Sequence, residues 1–326
     1  MSRDAAKITM VGCGAIGSAA AQALLLRREG IELLLVNRDG RRAWAKAYDM
    51  SHCAPELPGR SVRSGTIEES EGSDVIVMTA GVLPRADGTR ADVLRDNVEV
   101  YGSLVPALAK ASPRAVFIVV ANPVDAIAYA AWRFAGSPAG RVLGSGTALD
   151  AMRLRAFIAE AYGLEAERTG VEVIGEHGDS MVPLWGRATY GGRPLAELLA
   201  ERGADFGEAA RAELLRKTKR AGWEIRQGGE HSCYGIAFSL CRIVETILGF
   251  SEGPVAVAAP FAGEYGIEGA FMSLPTMLGR GGVVSRIAPD LSGTELEALR
   301  ASADAVRAQT DEVDRLIGKG AVPLIY

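Results

Sequence analysis

Three glycines near the start of the chain, Gly12, Gly14 and Gly17, constrain the fold more than any other feature of the sequence. They follow an apolar run at 7–11 that is typical of a buried strand, and they precede a helical pattern at 15–28. In this context the glycines permit a tight turn, the close approach of a pyrophosphate and the packing of helix on strand. The N-terminus of the helix offers unpaired N–H groups to phosphates. The sequence therefore predicts a dinucleotide-binding turn.

The first half of the chain alternates such apolar runs with helical patterns, which is typical of a parallel sheet with crossover helices. Further buried strands are predicted at 32–36, 74–78 and 115–120, and a further helix at 92–110. The predicted fold class is α/β, with a doubly wound parallel Rossmann sheet in a dinucleotide-binding domain over residues 1–145.

The pattern becomes less regular in the second half. Helices are predicted at 151–162, 209–227, 232–250 and 294–317, strands at 171–174 and 254–259, and a turn-rich segment at 190–194. This mixture predicts an α+β substrate or catalytic domain over residues 146–326. A chain of 326 residues is long enough for two compact domains, and two domains favour a site in the crevice between them.

Composition excludes several classes of function. A net charge of -4 provides no electrostatic footprint for nucleic acid. The longest apolar segment, 115–131, is interrupted by polar residues and is too short for a membrane span. Residues 1–10 lack the charged and apolar regions of a signal peptide. The four cysteines are widely scattered and lack zinc-ligand spacing, so we expect reduced thiols, no metal site and a cytoplasmic protein.

The end of the second predicted strand bears on the choice of cofactor. An acidic residue is expected there to bind the ribose hydroxyls of NAD, but the chain has Asn37, followed by Arg38, Arg41 and Arg42. A carboxylate would repel a 2′-phosphate, whereas a neutral amide beside a guanidinium would tolerate or attract one. The prediction leans towards NADP over NAD, with a solvated surface group of arginines as the alternative.

A glycine-flanked histidine, His177, lies within the hexapeptide GEHGDS at 175–180, in a chain with only three histidines. A histidine that is neutral near physiological pH can take the proton released when an alcohol is oxidised, and can return it during reduction. This segment is the strongest candidate for proton-transfer chemistry in the sequence.

Six segments occur in the order shown by one known family. They are 11–17 (VGCGAIG), 79–81 (TAG), 88–90 (GTR), 121–125 (ANPVD), 144–153 (GSGTALDAMR) and 175–180 (GEHGDS). A later stretch at 263–266 (GEYG), followed by Pro275 and by Gly279-Arg280, also matches. On these motifs the chain resembles the lactate/malate dehydrogenase family over essentially its whole length. The resemblance implies a Rossmann dehydrogenase of L-2-hydroxy acids.

The resemblance also implies catalytic roles. His177 would be the proton donor and acceptor, and Asp150 would bond the far nitrogen of its ring and stabilise the imidazolium. Arg153 lies three residues after Asp150 on a predicted helix, so both side chains can point into the same crevice. Its guanidinium would clamp the substrate carboxylate through two parallel hydrogen bonds. Arg90 would polarise the substrate carbonyl after a loop closes over the site.

Further residues are assigned to the pocket by the resemblance. Asn122 would contact the reacting oxygen and the nicotinamide side of the pocket, and Ser145 and Ser232 would line it. The cofactor-binding set is Gly12, Gly14, Ala15, Ile16, Gly17, Asn37, Arg38, Thr79, Ala80, Gly81, Asn97, Asn122 and Ser145.

Several of these residues also have a purely structural interpretation. Asn122 could be a turn residue, Ser232 a helix N-cap, and Asp150 with Arg153 a helix salt bridge. Of the other two histidines, His52 is interpreted as structural, whereas His231 flanks the pocket and could contact substrate or serve in packing.

The resemblance implies that substrate choice is set mainly by the loop at 81–90, GVLPRADGTR. Counting back from Arg90 places Pro84 at the position that discriminates substrates in the family, whereas a shift by one residue places Arg85 there. An inward Arg85 would favour a dianion such as oxaloacetate or a phosphonate analogue, and this interpretation is preferred. The alternative is an L-lactate dehydrogenase type acting on pyruvate or a larger monocarboxylic 2-oxo acid.

The sequence leaves two other functional classes open. An NAD-dependent glycosidase would need a metal-binding cysteine and histidine, for which only His52 with Cys53 and His231 with Cys233 are neighbours. An inactive dinucleotide-binding regulator is the other, since fold does not determine function. The resemblance further implies a homodimer or homotetramer built on the helices of the cofactor domain.

Overall fold

The structure is a computed structural model that describes residues 5–82 and 90–318, with the backbone alone for Arg90. The strands in these ranges are β1 Ala6–Val11, β2 Ile31–Val36, β3 Arg60–Ser64, β4 Val75–Met78, β5 Val116–Val119, β6 Val142–Gly144, β7 Thr169–Gly170, β8 Val173–Ile174, β9 Val182–Pro183, β10 Thr189–Tyr190, β11 Arg193–Pro194, β12 Val255–Ala262, β13 Glu268–Gly279 and β14 Gly282–Arg286. The helices are α1 Ala15–Arg27, α2 Gly40–Ser51, α3 Arg90–Ala111, α4 Val124–Ala135, α5 Ala148–Tyr162, α6 Leu195–Glu201, α7 Glu208–Gln227, α8 Tyr234–Leu248 and α9 Gly293–Gly318.

The first six strands form a parallel sheet in the order β3-β2-β1-β4-β5-β6. Every residue of β4 and β5 is buried, as expected for strands covered by helices on both faces. This is the doubly wound Rossmann order, so the fold class predicted from the sequence is confirmed.

The registers of these strands place their carboxyl ends at one edge of the sheet. Val11 of β1 lies opposite both Val36 of β2 and Met78 of β4. Val119 of β5 likewise lies opposite Met78 and Gly144 of β6. The segments that follow these strands carry the glycine turn and the motifs around Asn37, Thr79, Asn122 and Ser145. Ligands of open α/β sheets bind at this edge.

The second half of the chain continues the same sheet. Ala258 of β12 pairs with Gly144 of β6 in the antiparallel sense, and β13 and β14 follow, which makes a nine-stranded sheet. Residues of α1, α2 and α8 pack against one face, and residues of α3, α4 and α9 against the other. The two halves are also joined by Glu245 of α8, a buried carboxylate that accepts hydrogen bonds from Arg27 and Arg28.

Some elements were not predicted from the sequence. The helix α4 lies largely in the apolar segment considered as a membrane candidate, and in α2 only the small residues Ala43 and Ala47 are buried. The twelve-residue β13 contains Pro275 and begins and ends near glycines, a composition that disfavours a strand. The strand predicted at 171–174 is present as the shorter β8, which contains only Val173 and Ile174. No helix within the described ranges is both long enough and apolar enough to cross a bilayer.

Candidate active site

The glycine turn joins β1 to α1, and its three glycines serve different purposes. Gly12 has φ +102°, and a Cβ there would lie 2.6 Å from the Ala80 nitrogen. A Cβ on Gly17 would lie 2.0 Å from the Gly12 carbonyl oxygen and 2.6 Å from Thr79 Oγ1. Nothing lies within 4 Å of a Cβ on Gly14, the N-cap of α1. Packing therefore requires Gly12 and Gly17, whereas Gly14 borders open space where a phosphate could approach the helix N-terminus.

The segment after β4 closes one side of this turn. The Thr79 hydroxyl donates to the Gly12 carbonyl at 2.8 Å. A Cβ on Gly81 would lie 2.8 Å from the Ala121 Cβ, so the chains after β4 and β5 approach closely. This arrangement makes a narrow floor below the space that a dinucleotide would occupy.

Asn97 of α3 lies beneath that floor and is fully buried. Its Oδ1 accepts from the Val82 N–H at 2.7 Å, and its Nδ2 donates to the Asn122 carbonyl at 2.8 Å. Because backbone groups use both ends of the amide, the structure supports a positioning role for Asn97. The sequence analysis placed Asn97 in the cofactor-binding set, and the structure puts its buried amide directly below the space that a dinucleotide would occupy.

Asn37 stands at the end of β2, at the edge of the same space. Its Oδ1 accepts from the Cys13 N–H at 3.3 Å, and its Nδ2 donates to the Asp39 carbonyl at 3.2 Å. The Asp39 carboxylate caps α2 and does not take the acidic position. Burial raises the pKa of the Cys13 thiol to about 11, while Arg42 and Lys46 of α2 act in the opposite direction. Positive charge from α2 therefore reaches the glycine turn.

His177 and Asp150 meet although 27 residues separate them in the chain. Nδ1 of His177 lies 2.5 Å from Oδ2 of Asp150, in the first turn of α5. The Asp150 side chain is 1% exposed and the His177 side chain 22% exposed. The carboxylate thus orients the ring and leaves its other nitrogen free to face a substrate.

The environment of His177 stabilises the imidazolium. Burial by itself lowers its pKa, but the charge and hydrogen bond of Asp150, together with the charge of Asp125, outweigh burial. The charge of Arg153 opposes them weakly, and the net result raises the pKa from 6.5 to about 9. The free site therefore holds a proton ready for donation near neutral pH.

Arg153 lies on the same face of α5 as Asp150. Its Nη1 is 3.6 Å from the Asp150 Oδ1, and its Nη2 donates to the Ser232 Oγ at 3.0 Å. Desolvation lowers the pKa of Arg153, and Asp150 counteracts this effect. Ser232 is not an N-cap of α8, since Cys233 holds that position. One buried carboxylate therefore orients both the imidazole and the guanidinium.

The remaining predicted residues are distributed around this centre. Asn122 is exposed directly after β5, and Ser145 is buried directly after β6. His52 lies at the C-terminus of α2 with its ring edge against Tyr48, and His231 is exposed beside Ser232.

The rest of the predicted cofactor-binding set lies near the ends of the first strands. Ala15 and Ile16 begin α1, Ala80 and Gly81 follow β4, and Arg38 is exposed after β2. Pro84, Arg85 and the Arg90 side chain lie outside the described residues.

Sequence reasoning missed the residues that hold the histidine turn. Asp125 of α4 accepts a hydrogen bond from the His177 backbone N–H at 2.7 Å. The Glu176 backbone N–H donates to the Ser302 hydroxyl of α9 at 2.8 Å, and Gln309 donates to the Glu176 carboxylate at 2.9 Å. One of these residues, Asp125, stands in the motif ANPVD that the sequence analysis quoted, although no role was assigned to it there.

Two family models match the chain almost from end to end. The model described as lactate/malate dehydrogenase, NAD binding domain, matches residues 6–144, and the model described as lactate/malate dehydrogenase, alpha/beta C-terminal domain, matches residues 147–316. The chain belongs to the lactate/malate dehydrogenase family. The resemblance noted in the sequence is thereby confirmed, and the protein is an NAD-dependent 2-hydroxy acid dehydrogenase of this type.

Individual members of the lactate/malate dehydrogenase family are similar over their whole length. The L-lactate dehydrogenase of Deinococcus radiodurans is 38% identical over 301 residues, which are 92% of this chain and 97% of that protein. That of Thermus aquaticus is 37% identical with the same coverage. Among solved structures, the minor L-lactate dehydrogenase of Enterococcus mundtii has a TM-score of 0.90 at 31% identity, covering 95% of this chain and 99% of that one. The malate dehydrogenase of Picrophilus torridus has a TM-score of 0.89 at 29% identity, with coverages of 97% and 99%.

The described part of the chain groups no three His, Cys, Asp or Glu side chains that could hold a metal ion. The site brings together a histidine with a carboxylate partner, an arginine and a glycine turn, an arrangement suited to proton transfer beside a bound anion.

Proposed function

We propose that this enzyme interconverts a monocarboxylic 2-oxo acid and its L-2-hydroxy acid, as an L-lactate dehydrogenase type. The observation that carries the proposal is the contact of Asp150 with both His177 and Arg153. Three of the four similar proteins cited are named L-lactate dehydrogenase, which supports this alternative better than the dicarboxylate favoured from the sequence. In this proposal residues 1–145 bind the dinucleotide, and residues 146–326 supply the catalytic groups.

The residues would act in order. Arg153 would bind the substrate carboxylate with two N–H groups, which leaves the carbonyl beside His177. The imidazolium of His177 would donate its proton to the carbonyl oxygen, and Asp150 would hold the ring and stabilise its charged form. When bound, the nicotinamide supplies or accepts the hydride. Asn122 would contact the reacting oxygen, and Arg90 would polarise it on loop closure.

A glycine of α7 next to Arg153 favours a substrate with a side chain larger than methyl. Gly222 lies within α7, where a glycine costs about 1 kcal/mol relative to alanine. A Cβ there would approach only Nη2 of Arg153, at 3.7 Å. The glycine therefore leaves room next to the substrate anchor at the expense of helix stability.

Steady-state kinetics with a panel of 2-oxo acids tests the substrate class. We expect kcat/KM for pyruvate or for a monocarboxylate with three or four side-chain carbons to exceed that for oxaloacetate and phosphonopyruvate. Gly222→Ala should lower kcat/KM for the larger substrates more than for pyruvate. A preference for the dianions that Arg85→Gln abolishes would instead establish the second candidate, a malate type, which the similarity to the Picrophilus torridus enzyme favours.

For the cofactor, the family model supports NAD, and we propose that NADP is also accepted. The neutral Asn37 and the positive charge that Arg42 and Lys46 bring to the glycine turn support this extension. Kinetics with both reduced cofactors would test it. A kcat/KM for NADPH more than about 100-fold below that for NADH, equivalent to about 3 kcal/mol, would refute it.

We also propose that the protein is cytoplasmic and that it forms a homodimer or homotetramer. The oligomer is supported by a set of exposed large apolar side chains on α1, α2 and α8, helices that cover one face of the sheet. These are Leu26, Trp44, Tyr48, Tyr234 and Phe238, with exposures from 46% to 82%. Light scattering after gel filtration should give at least twice the 34.3 kDa chain mass, and Trp44→Glu should reduce it.

A further inference from the structure

A line of four residues in register crosses the sheet beside the candidate site. Gly144, the last residue of β6, pairs with Ala258 of β12, which pairs in turn with Ser273 of β13. The Ser273 N–H donates to the Gly175 carbonyl at 2.9 Å, and the Gly175 N–H donates to the Ser273 carbonyl at 3.0 Å. Gly144 leads towards α5, and Gly175 leads into the turn that carries His177. One residue of β13 therefore lies between the starting points of both halves of the site.

The side chain of Ser273, which is fully buried, makes a further link to α5. Its Oγ accepts from the backbone N–H of Thr147, the N-cap of α5, at 3.1 Å. The approach is close, because a Cβ on Gly146, which has φ +57°, would lie 2.5 Å from that oxygen. The hydroxyl of Thr147, also fully buried, donates to the Val173 carbonyl of β8. Two hydroxyls thus join the start of α5 to the strand that precedes the histidine.

We propose that Ser273 is a positioning residue whose hydroxyl, together with that of Thr147, sets α5 against the histidine turn and so fixes the 2.5 Å contact between His177 Nδ1 and Asp150 Oδ2. The inference rests on the proposed proton transfer by His177. Asp150 and Arg153 follow Thr147 on α5 by three and six residues, so a displacement of the helix moves both relative to the imidazole while their own spacing is kept.

The other anchors of the turn come from elements that would not move with α5. Asp125 of α4 accepts from the His177 backbone N–H at 2.7 Å, and Ser302 of α9 accepts from the Glu176 backbone N–H at 2.8 Å. These bonds hold the backbone of the turn whatever the position of α5. Loss of the Ser273 hydroxyl should therefore change the distance between ring and carboxylate rather than displace the turn.

This geometry predicts a split between kcat and KM. Because Arg153 and Asp150 share α5, a displaced helix carries the substrate anchor with it, and we expect KM for the 2-oxo acid to change less than about 3-fold. Turnover depends on delivery of the His177 proton to the carbonyl oxygen, and a misplacement of about 1 Å can cost about 100-fold. Ser273→Ala leaves the buried Thr147 N–H without its acceptor. We expect kcat to fall about 10-fold at nearly constant KM.

Histidine NMR measures the same geometry without turnover, because the chain has only three histidines. With ¹³C-labelled histidine, the His177 signal is identified by its loss in His177→Asn. The charged groups that act on the ring are Asp150, Asp125 and Arg153, and Ser273→Ala changes none of them. A looser contact with Asp150 should nevertheless move the titration midpoint of His177 from near pH 9 to lower pH, by about half to one unit.

Thr147 provides a second pair of variants, which serves if Ser273→Ala does not fold. Thr147→Val keeps the shape but removes the donor to Val173, and it should lower kcat and the titration midpoint, whereas Thr147→Ser keeps the hydroxyl and should preserve both. Ser112→Ala is the matched control. The buried Ser112 Oγ accepts from the Ser73 N–H at 3.2 Å at the opposite edge of the sheet, so its loss should lower the melting temperature and leave kcat and the midpoint unchanged.

Unchanged kcat and an unchanged midpoint in folded Ser273→Ala or Thr147→Val protein, with a melting temperature lowered as in the control, would reduce these hydroxyls to structural bonds and overturn the proposal. Absence of turnover with every 2-oxo acid in the wild-type protein would refute the proposed function instead. The titration midpoint alone would then decide whether Ser273 positions α5 against the ring.

Discussion

Asp150→Asn removes the largest attraction that keeps His177 protonated while preserving the shape of the side chain. The structure places the pKa of His177 at about 9 against an ordinary 6.5, a difference worth about 3 kcal/mol in favour of the imidazolium. Without the Asp150 charge, burial and Arg153 lower the pKa, and we expect it at or below 6.5. At pH 8 the protonated fraction would fall from about 90% to about 3% or less, a loss of about 30-fold.

The assay is kcat/KM for 2-oxo acid reduction from pH 5 to pH 10 with saturating reduced cofactor. Reduction needs the imidazolium, so activity is lost as pH rises through the pKa of His177. The variant should lose activity with a midpoint at or below pH 6.5 and recover much of it at pH 5.5. Oxidation of the hydroxy acid needs the neutral ring, so its rising limb should shift in the same direction. A high-pH limb that stays near pH 9 would refute this reasoning. Glu213→Gln, which removes a carboxylate from an exposed ion pair on α7, serves as the control and should leave the profile unchanged.

Three further predictions concern the anchor, the acid and the glycine turn. His177→Asn should abolish turnover in both directions while cofactor affinity, measured by fluorescence titration, changes less than about 3-fold. Arg153→Lys should raise KM by about 10- to 100-fold because a two-pronged contact becomes a point charge, and an equal loss in kcat alone would contradict that role. Gly17→Ala should destabilise the fold, since its Cβ would lie 2.0 Å from the Gly12 carbonyl oxygen, whereas Gly14→Ala should melt like wild type but bind cofactor more weakly. Melting and binding measured on both alanine variants separate these effects.

Much of the fold was predictable because it follows from short segments of chain. The apolar runs that became β1, β2, β4 and β5 carry buried-strand composition within four to six residues, and the glycine turn lies between two of these local patterns. Asp150 and Arg153 share a helix face through spacing alone. The longer β13 escaped prediction because Pro275 interrupts its pattern, and its pairing with both β12 and β14 overrides that composition.

The sequence could not decide the substrate, because the register that places Pro84 or Arg85 inward depends on a loop conformation outside the described residues. It placed Asn97 in the cofactor-binding set, and only the folded structure shows that this amide is buried and bonded to two backbone groups.

The sequence by itself determined the Rossmann half, the family, and which residue types are available for proton transfer. Only the tertiary structure decided which of them meet: His177 reaches Asp150 across 27 residues and Asp125 across 52, and Arg153 reaches Ser232 across 79. Such contacts depend on how helices pack against one continuous sheet, and no local periodicity encodes that packing.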